Sequence, residues 1–354
     1  MRSAPGPLPR IVTPLSWLLA RCYGAAVSRR NARFDRGIGV EALVVRDVRV
    51  PVISVGNMTA GGTGKSPFVA RLADELISMG RRPVIAMRGY RSHTEASGAS
   101  TSDEQREYAV SAPNALVVAD PRRRDALVVR LSQEDCASWL RDAVVLLDDG
   151  FQHRQLSRAL DIVLVDATRP ALDGDVLPHG WLREDARGIR RANFVVLTKA
   201  DDANEVSSAT ALVRTLRGTD PDAVCRHVWD SVEVYEAGRM RMESLAWLAT
   251  QRTATACGLG NPSHFERMTR RLSAELVQSL RVGDHRALAT ADIDRMMSSL
   301  GGGAVCVVSR KDFVKFDAIP TSVMVVPRLA ISFAEHEAGL LALRTALRAA
   351  IVGS

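Results

Sequence analysis

The sequence predicts an α/β protein: a doubly wound parallel sheet of the P-loop NTPase type, followed by a second, smaller α/β domain. Three observations carry this. Short β-branched runs, apolar almost throughout, alternate with helical stretches from about residue 42, the pattern of strands covered on both faces by helices. A glycine-rich loop, Gly56-Asn57-Met58-Thr59-Ala60-Gly61-Gly62-Thr63-Gly64-Lys65-Ser66, lies between the first such strand and the first such helix. After about residue 230 the strand–loop–helix alternation starts afresh. Boundaries follow at 1–36 for an N-terminal helix with a basic flank, 37–228 for the first α/β domain, and 229–354 for the second with its linker strands.

The N-terminal stretch Ile11–Val27 is apolar, broken by Arg21, and followed by Arg29, Arg30, Arg33 and Arg36. It is short of the roughly 20 apolar residues a membrane span needs. An interfacial helix, with Trp17 and Tyr23 at headgroup level and arginines toward anionic lipid, is one reading; a helix packed on the core is the other. Residues 1–50 hold nine Arg against three acidic residues, so they carry most of the net charge of +7. Basic charge beside an apolar helix suits a membrane surface, and the aromatic–basic interleaving of single-strand nucleic-acid binders is missing from the sequence. The five cysteines are scattered without a CxxC spacing, which argues for reduced thiols rather than a disulfide framework or a zinc site.

Val50–Val55 reads as the first strand. Ser66–Met79 reads as a helix with Pro67 in its first turn and Gly80 as its stop. The loop between them has the context a phosphate loop requires: its glycines let backbone N–H groups face phosphate oxygens, and the helix N-terminus adds positive potential. Lys65 then reaches the β- and γ-phosphates and the Ser66 hydroxyl meets Mg²⁺. The strict pattern wants glycine where this chain has Thr59. With only four lysines among 47 basic residues, Lys65 stands out as a site where a compact ammonium is needed.

Pro83–Met87, Leu116–Ala119, Val144–Leu147, Ile162–Val165 and Phe194–Leu197 are the further strands. Val144–Leu147 delivers Asp148 and Asp149 at its C-terminal end, where open α/β sheets bind ligands and where a carboxylate can serve Mg²⁺. Gly150-Phe151-Gln152-His153 follows at once; His153 by itself is equally a structural histidine. Thr198-Lys199-Ala200-Asp201 resembles the guanine-reading motif of P-loop GTPases and opens an alternative, a GTPase or metallochaperone-like switch. Ser92–Ser102 reads as a mobile loop. In the second domain Thr253–Cys257, Ala304–Val308 and Val323–Val326 are strands, Gly301–Gly303 is a loop, and Ser263 with Glu266 forms a capping-box pattern opening a helix.

Taken together, several motifs resemble one family, the tetraacyldisaccharide 4′-kinases of lipid A biosynthesis. They are Gly56–Pro67, Arg88-Gly89-Tyr90, Asp148–His153, Leu177-Pro178 with Gly180, Leu182-Arg183-Glu184, Gly258–Pro262, Asp284-His285, and Lys311-Asp312 with Lys315. Thr59 in place of glycine is itself similar to that family, and the Thr198–Asp201 segment occurs in it too. The resemblance runs over nearly the whole chain. It implies transfer of the γ-phosphate of ATP, with Mg²⁺, to the 4′-hydroxyl of an acylated glucosamine disaccharide 1-phosphate, forming lipid IVA. It further implies two α/β/α domains with the active site between them, at the cytoplasmic face of an inner membrane, with no nucleic-acid partner.

Carried over by position, Thr59, Gly61, Gly62, Thr63, Gly64, Lys65 and Ser66 bind the nucleotide. Ser66, Asp148, Asp149 and Glu184 face the metal. Asp103 resembles the catalytic base and His285 the histidine that pairs with it, while Glu104, Gln152, His153 and Arg183 contact substrate. This chain reads Ser102-Asp103-Glu104-Gln105 where the family usually has Gly-Asp-Glu-Pro, and both Asp103 and Glu104 stand as candidates for the base.

Overall fold

The computed structural model describes residues 13–61, 63–89, 92–94, 100–259, 262–282, 288–316, 318–333 and 337–353, with backbone alone for 13, 92–94 and 100–104. The chain forms two compact units: 1–90 with 111–227 and 331–354, and 91–110 with 228–330.

The first unit is built on a seven-stranded sheet. Its strands are β1 (Val52–Asn57), β2 (Arg82–Met87), β3 (Leu116–Ala119), β4 (Ala143–Asp148), β5 (Leu160–Asp166), β6 (Phe194–Thr198) and β7 (Ala223–Val224), in the order β7-β6-β5-β1-β4-β2-β3. Every pairing is parallel. Sequence order reverses at β1, which lies between β5 and β4, and ligands of doubly wound sheets bind at such a switch point. All residues of β1, β4, β5 and β6 are buried, which is why their sequences are continuous apolar runs rather than alternating ones. The expected strands are all present, with ends shifted by a residue or two; β1 begins at Val52 rather than Val50.

Two hydrophobic clusters flank the sheet. One gathers Val84, Leu127, Val145 and Leu147 with their neighbours; the other gathers Met58, Phe151, Val163, Val195 and Val213. The first draws on alternate residues of β2 and β4 (Val84 and Ala86, Val145 and Leu147), the second on alternate residues of β5 and β6 (Val163 and Val165, Val195 and Leu197), as the period of two dictates. Helix α1 (Thr13–Asp35) precedes the sheet and α2 (Lys65–Ser78) follows β1. Of α1, Ser16 and Ala20 are buried, whereas Leu15, Trp17, Leu18 and Leu19 are 59%, 50%, 54% and 47% exposed. No helix among the described residues is long and apolar enough to cross a membrane.

The C-terminal helix Glu337–Val352 also groups with the first unit, not with the second as the 229–354 boundary had it. Two contacts explain this. Gly339 lies so close to β7 that an added Cβ would sit 3.0 Å from Ala223 Cβ, and Arg344 pairs with the buried Glu75 of α2 at 2.7 Å. Both are long-range contacts that no local pattern announces.

The second unit carries the sheet formed by Arg226–Glu236, Arg239–Glu243, Arg252–Cys257, Glu275–Arg281, Ala304–Val308 and Met324–Ser332. Arg226–Glu236 and Arg239–Glu243 form an antiparallel hairpin, and Arg252–Cys257 pairs in parallel with strands on both sides. The expected helix begins at Pro262, which puts Ser263 inside its first turn rather than at the cap. Glu266 does not reach back to close a capping box: its carboxylate accepts from Arg281 at 2.5 and 2.6 Å, a charge-assisted pair that outcompetes a neutral backbone N–H. Within the expected loop, Ser92–Thr94 and Ser100–Ser102 pair as antiparallel strands.

Candidate functional site

The phosphate loop joins β1 to α2. Gly64 is the N-cap of α2 with φ 82° and ψ 35°, a left-handed conformation that glycine adopts without strain. Its neighbour across the loop forbids a side chain independently: an added Cβ would lie 1.9 Å from His227 Cε1. Gly56, within β1, is required by close approach instead, since an added Cβ would sit 2.5 Å from Phe151 Cβ. Thr59 is tolerated where the strict pattern has glycine because it lies outside the residues with left-handed backbone and makes an antiparallel bridge to Leu182. Trp181–Arg183 runs along this loop: Ala60 N–H donates to Trp181 O at 2.7 Å and Arg183 N–H to Met58 O at 2.9 Å.

Asn57, quoted in the motif but given no role there, closes the loop from inside. Its Nδ2 donates to Thr59 O at 2.8 Å, and its Oδ1 accepts from Lys65 Nζ at 3.2 Å. Gly62 lies outside the described residues.

β4 pairs with β1 so that Asp148 stands opposite Val55. This register brings the carboxylates to the phosphate loop. Asp149 has φ 50°, a strained backbone for a non-glycine residue that clusters at functional sites. Its carboxylate is held by Lys65 Nζ at 3.2 Å and by Arg183 Nη1 at 2.7 Å. Burial opposes its ionisation, but the charges of Lys65 and Arg183 outweigh burial and lower its pKa from 3.8 to about 2. Arg123, itself buried, donates to Asp149 O at 3.4 Å.

Gln152 donates from Nε2 to both Asn57 O and Glu184 Oε1, each at 3.0 Å. Glu184 is buried, and its other oxygen accepts from Asn31 Nδ2 at 2.8 Å and Arg191 Nη2 at 2.7 Å. It is therefore engaged by three donors, tying α1 and Arg191 to Gln152. His153 is pushed down from 6.5 to about 4, first by desolvation and then by the surrounding charges of Arg123, Arg158, Arg30 and Arg88. The imidazole is neutral at physiological pH, within a ring of guanidinium groups.

Helix α1 reaches this site directly. Tyr23 donates to Arg183 O at 2.9 Å, Arg30 to Gln152 O at 3.3 Å, and Arg154 pairs with Asp35 at 2.7 Å. Asn31, Asn57, Arg123 and His227 are site residues that the sequence reading passed over. Asn57 alone had a signal in sequence, its place inside the glycine-rich loop.

In the second unit, Gly258 and Asp312, both in motifs quoted above, come together: Asp312 Oδ2 accepts from Gly258 N–H at 3.0 Å and from Ser309 Oγ at 2.7 Å, and Lys315 Nζ lies 3.5 Å from Oδ1. Asp103 and Glu104 open the helix Asp103–Ser111 of the same unit, with their side chains outside the description. Asp284 and His285 lie outside the described residues, as do Tyr90, Gly260 and Asn261.

Ser66, Asp148 and Asp149 offer the hard oxygen donors that suit Mg²⁺, which keeps several waters and takes one or two carboxylates beside phosphate oxygens. Among the described residues no group of three or more His, Cys, Asp and Glu side chains is arranged as a metal cage, and such a Mg²⁺ needs none. The site can thus hold a polyphosphate between backbone amides and Lys65, with ionised carboxylates at its edge.

Known proteins resemble this chain over nearly its whole length. Residues 9–348 match the family model described as LpxK: Tetraacyldisaccharide-1-P 4'-kinase. A tetraacyldisaccharide 4'-kinase of Anaeromyxobacter dehalogenans (strain 2CP-C) is 32% identical over 332 residues, covering 89% of this chain and 84% of the relative. One from Geobacter sulfurreducens is 30% identical over 326 residues, covering 88% and 87%. Among solved structures, LpxK from Aquifex aeolicus in complex with ATP is similar with a TM-score of 0.64 at 24% identity, over 96% of this chain and 98% of that one; this likeness speaks to the fold.

Proposed function

The chain belongs to the tetraacyldisaccharide-1-P 4'-kinase family, and we propose that it transfers the γ-phosphate of ATP to the 4′-hydroxyl of a tetraacylated glucosamine disaccharide 1-phosphate, forming lipid IVA in lipid A biosynthesis. The observation that carries this reading is the phosphate loop with Lys65 and Arg183 gathered on Asp149, in a chain matched to the family over nearly its whole length. The GTPase alternative loses its footing, because the relatives that share this chain's length are disaccharide kinases.

Phosphoryl transfer asks the protein for positioning and charge stabilisation. The amides of residues 61–64 and the Lys65 ammonium receive the β- and γ-phosphates. Ser66, Asp148 and Asp149 hold Mg²⁺, which when bound neutralises charge on those phosphates. Glu184, already engaged by Asn31, Gln152 and Arg191, serves that metal only indirectly, by fixing Gln152. Asp103, or Glu104 beside it, accepts the proton of the sugar hydroxyl, and His285 pairs with the base. Arg183, Arg123 and neutral His153 meet anionic or hydroxyl groups of the acceptor.

Helix α1 lies on the surface of a cytoplasmic membrane face, with Leu15, Trp17, Leu18 and Leu19 toward lipid. Their exposure and the nearby arginines support this, and an acceptor whose acyl chains stay in the bilayer requires such contact.

The test is label transfer from γ-labelled ATP to a tetraacyldisaccharide 1-phosphate in detergent micelles, with GTP and no-lipid controls. Mg²⁺-dependent label in the lipid is the expected result. Lipid-independent hydrolysis that favours GTP, with no labelled lipid, would overturn the proposal.

A further inference from the structure

The Thr198-Lys199-Ala200-Asp201 segment has no part in the site as described so far, yet it touches the phosphate loop. Thr198 is the last residue of β6 and fully buried; its Oγ1 donates to Thr63 O at 2.9 Å. In a trans peptide the C=O and the following N–H point to opposite sides. Fixing the Thr63 carbonyl toward β6 therefore turns the Gly64 N–H away from β6, the orientation that lets a loop amide face a phosphate.

The second contact comes from His227, 4% exposed, three residues beyond the end of β7 and second in the strand Arg226–Glu236. Its Cε1 and Nε2 lie 1.9 and 2.3 Å from where a Gly64 Cβ would be, so the ring walls the loop on that flank. Backbone bonds hold this wall in place: Cys225 N–H donates to Leu197 O at 2.8 Å and Ala200 N–H to Cys225 O at 3.2 Å, while Arg226 Nε donates to Ala200 O at 2.8 Å. Lys199, with φ 54°, has its ammonium paired with Asp166 inside the unit.

We propose that Thr198 and His227 are positioning residues for nucleotide phosphate binding: Thr198 sets the direction of the Thr63–Gly64 peptide, His227 prevents the loop from relaxing, and the Thr198–Asp201 segment works as a strut rather than as a reader of the base. The inference rests on the phosphate-loop reading of residues 56–66.

Equilibrium binding of a non-hydrolysable ATP analogue and of its GTP counterpart tests it, together with KM for ATP, kcat and melting temperature. The full-length proteins are wild type, Thr198→Val, Thr198→Ser, His227→Ala and Asp201→Ala. Thr198→Val keeps shape but removes the donor, and losing a buried bond of this kind weakens ATP binding about tenfold. Thr198→Ser restores the donor and returns affinity to near wild type. His227→Ala weakens ATP and GTP analogues alike, and Asp201→Ala leaves their ratio unchanged. The inference is overturned if folded Thr198→Val and His227→Ala bind the ATP analogue within twofold of wild type, or if Asp201→Ala changes the ATP-to-GTP ratio. Failure of the wild type to bind the ATP analogue would instead sink the phosphate-loop reading beneath it.

Discussion

Lys65 Nζ lies 3.2 Å from Asp149 Oδ1 and 3.2 Å from Asn57 Oδ1. The only lysine of the Gly56–Ser66 loop is thus held between the end of β1 and the residue after β4. Lys65→Ala is expected to lower kcat by about a hundredfold or more, the scale of losing a group aimed at transition-state charge. Far-UV circular dichroism should be unchanged. Near-normal transfer from labelled ATP would refute the assignment.

Arg183 shares the Asp149 carboxylate with Lys65. Asp149 titrates at about 2 because those two cations outweigh burial, so it stays ionised at any working pH. Because Lys65 remains on the carboxylate, the acid limb of the kcat/KM profile in Arg183→Ala is expected to stay in place while KM for the acceptor rises about tenfold, the scale of a lost charge-assisted bond. An acid limb that moves up by about a pH unit with KM unchanged would show instead that Arg183 acts only by keeping Asp149 ionised.

Glu184 separates two roles. As an anchor between Asn31, Gln152 and Arg191, its replacement by Gln leaves a buried arginine pair broken and costs about 2–3 kcal/mol. Urea unfolding should show this loss, while the Mg²⁺ concentration for half-maximal rate stays within twofold of wild type. A tenfold rise in that concentration with unchanged stability would make Glu184 a metal ligand instead.

His153 gives a stability signature. Its folded-state pKa of about 4 lies below the ordinary 6.5, so between these values the unfolded chain binds more protons than the folded one. Stability therefore falls as pH drops through 6.5 and the loss levels off below about 4. Discounted for partial exposure, the contribution is about 2 kcal/mol. Denaturant titrations at pH 7.5 and 5 cover about three-fifths of that range, so they should differ by about 1 kcal/mol less in His153→Asn than in wild type; an identical difference would show that the imidazole does not titrate in this way.

Helix α1 offers Leu15, Trp17, Leu18 and Leu19 to solvent while Asn31 and Tyr23 hold the site. Trp17→Glu with Leu18→Glu is expected to reduce sedimentation with anionic phospholipid vesicles at least tenfold, because two apolar anchors become charges. Tyr23→Phe should leave vesicle binding intact. Equal sedimentation of wild type and double variant would remove α1 from the membrane surface.

The sequence by itself determined the elements and the chemistry that is local. Apolar β-branched runs fixed the strands because burial on both faces leaves no room for alternation, and the Gly56–Ser66 loop was legible between strand and helix because its glycines break both patterns. Asp148 and Asp149 were legible as acids at the end of such a run. The tertiary structure decided what depends on register and on long-range contact. The pairing of Val55 with Asp148 brings the carboxylates beside the loop, Glu184 meets Asn31, Gln152 and Arg191, and Glu266 takes Arg281 in place of a helix cap. Thr198 and His227 meet Thr63 and Gly64 across more than 130 positions of chain. A hydroxyl or a ring at such a distance leaves no periodicity in the sequence; only the order of strands in the sheet decides whose backbone it meets.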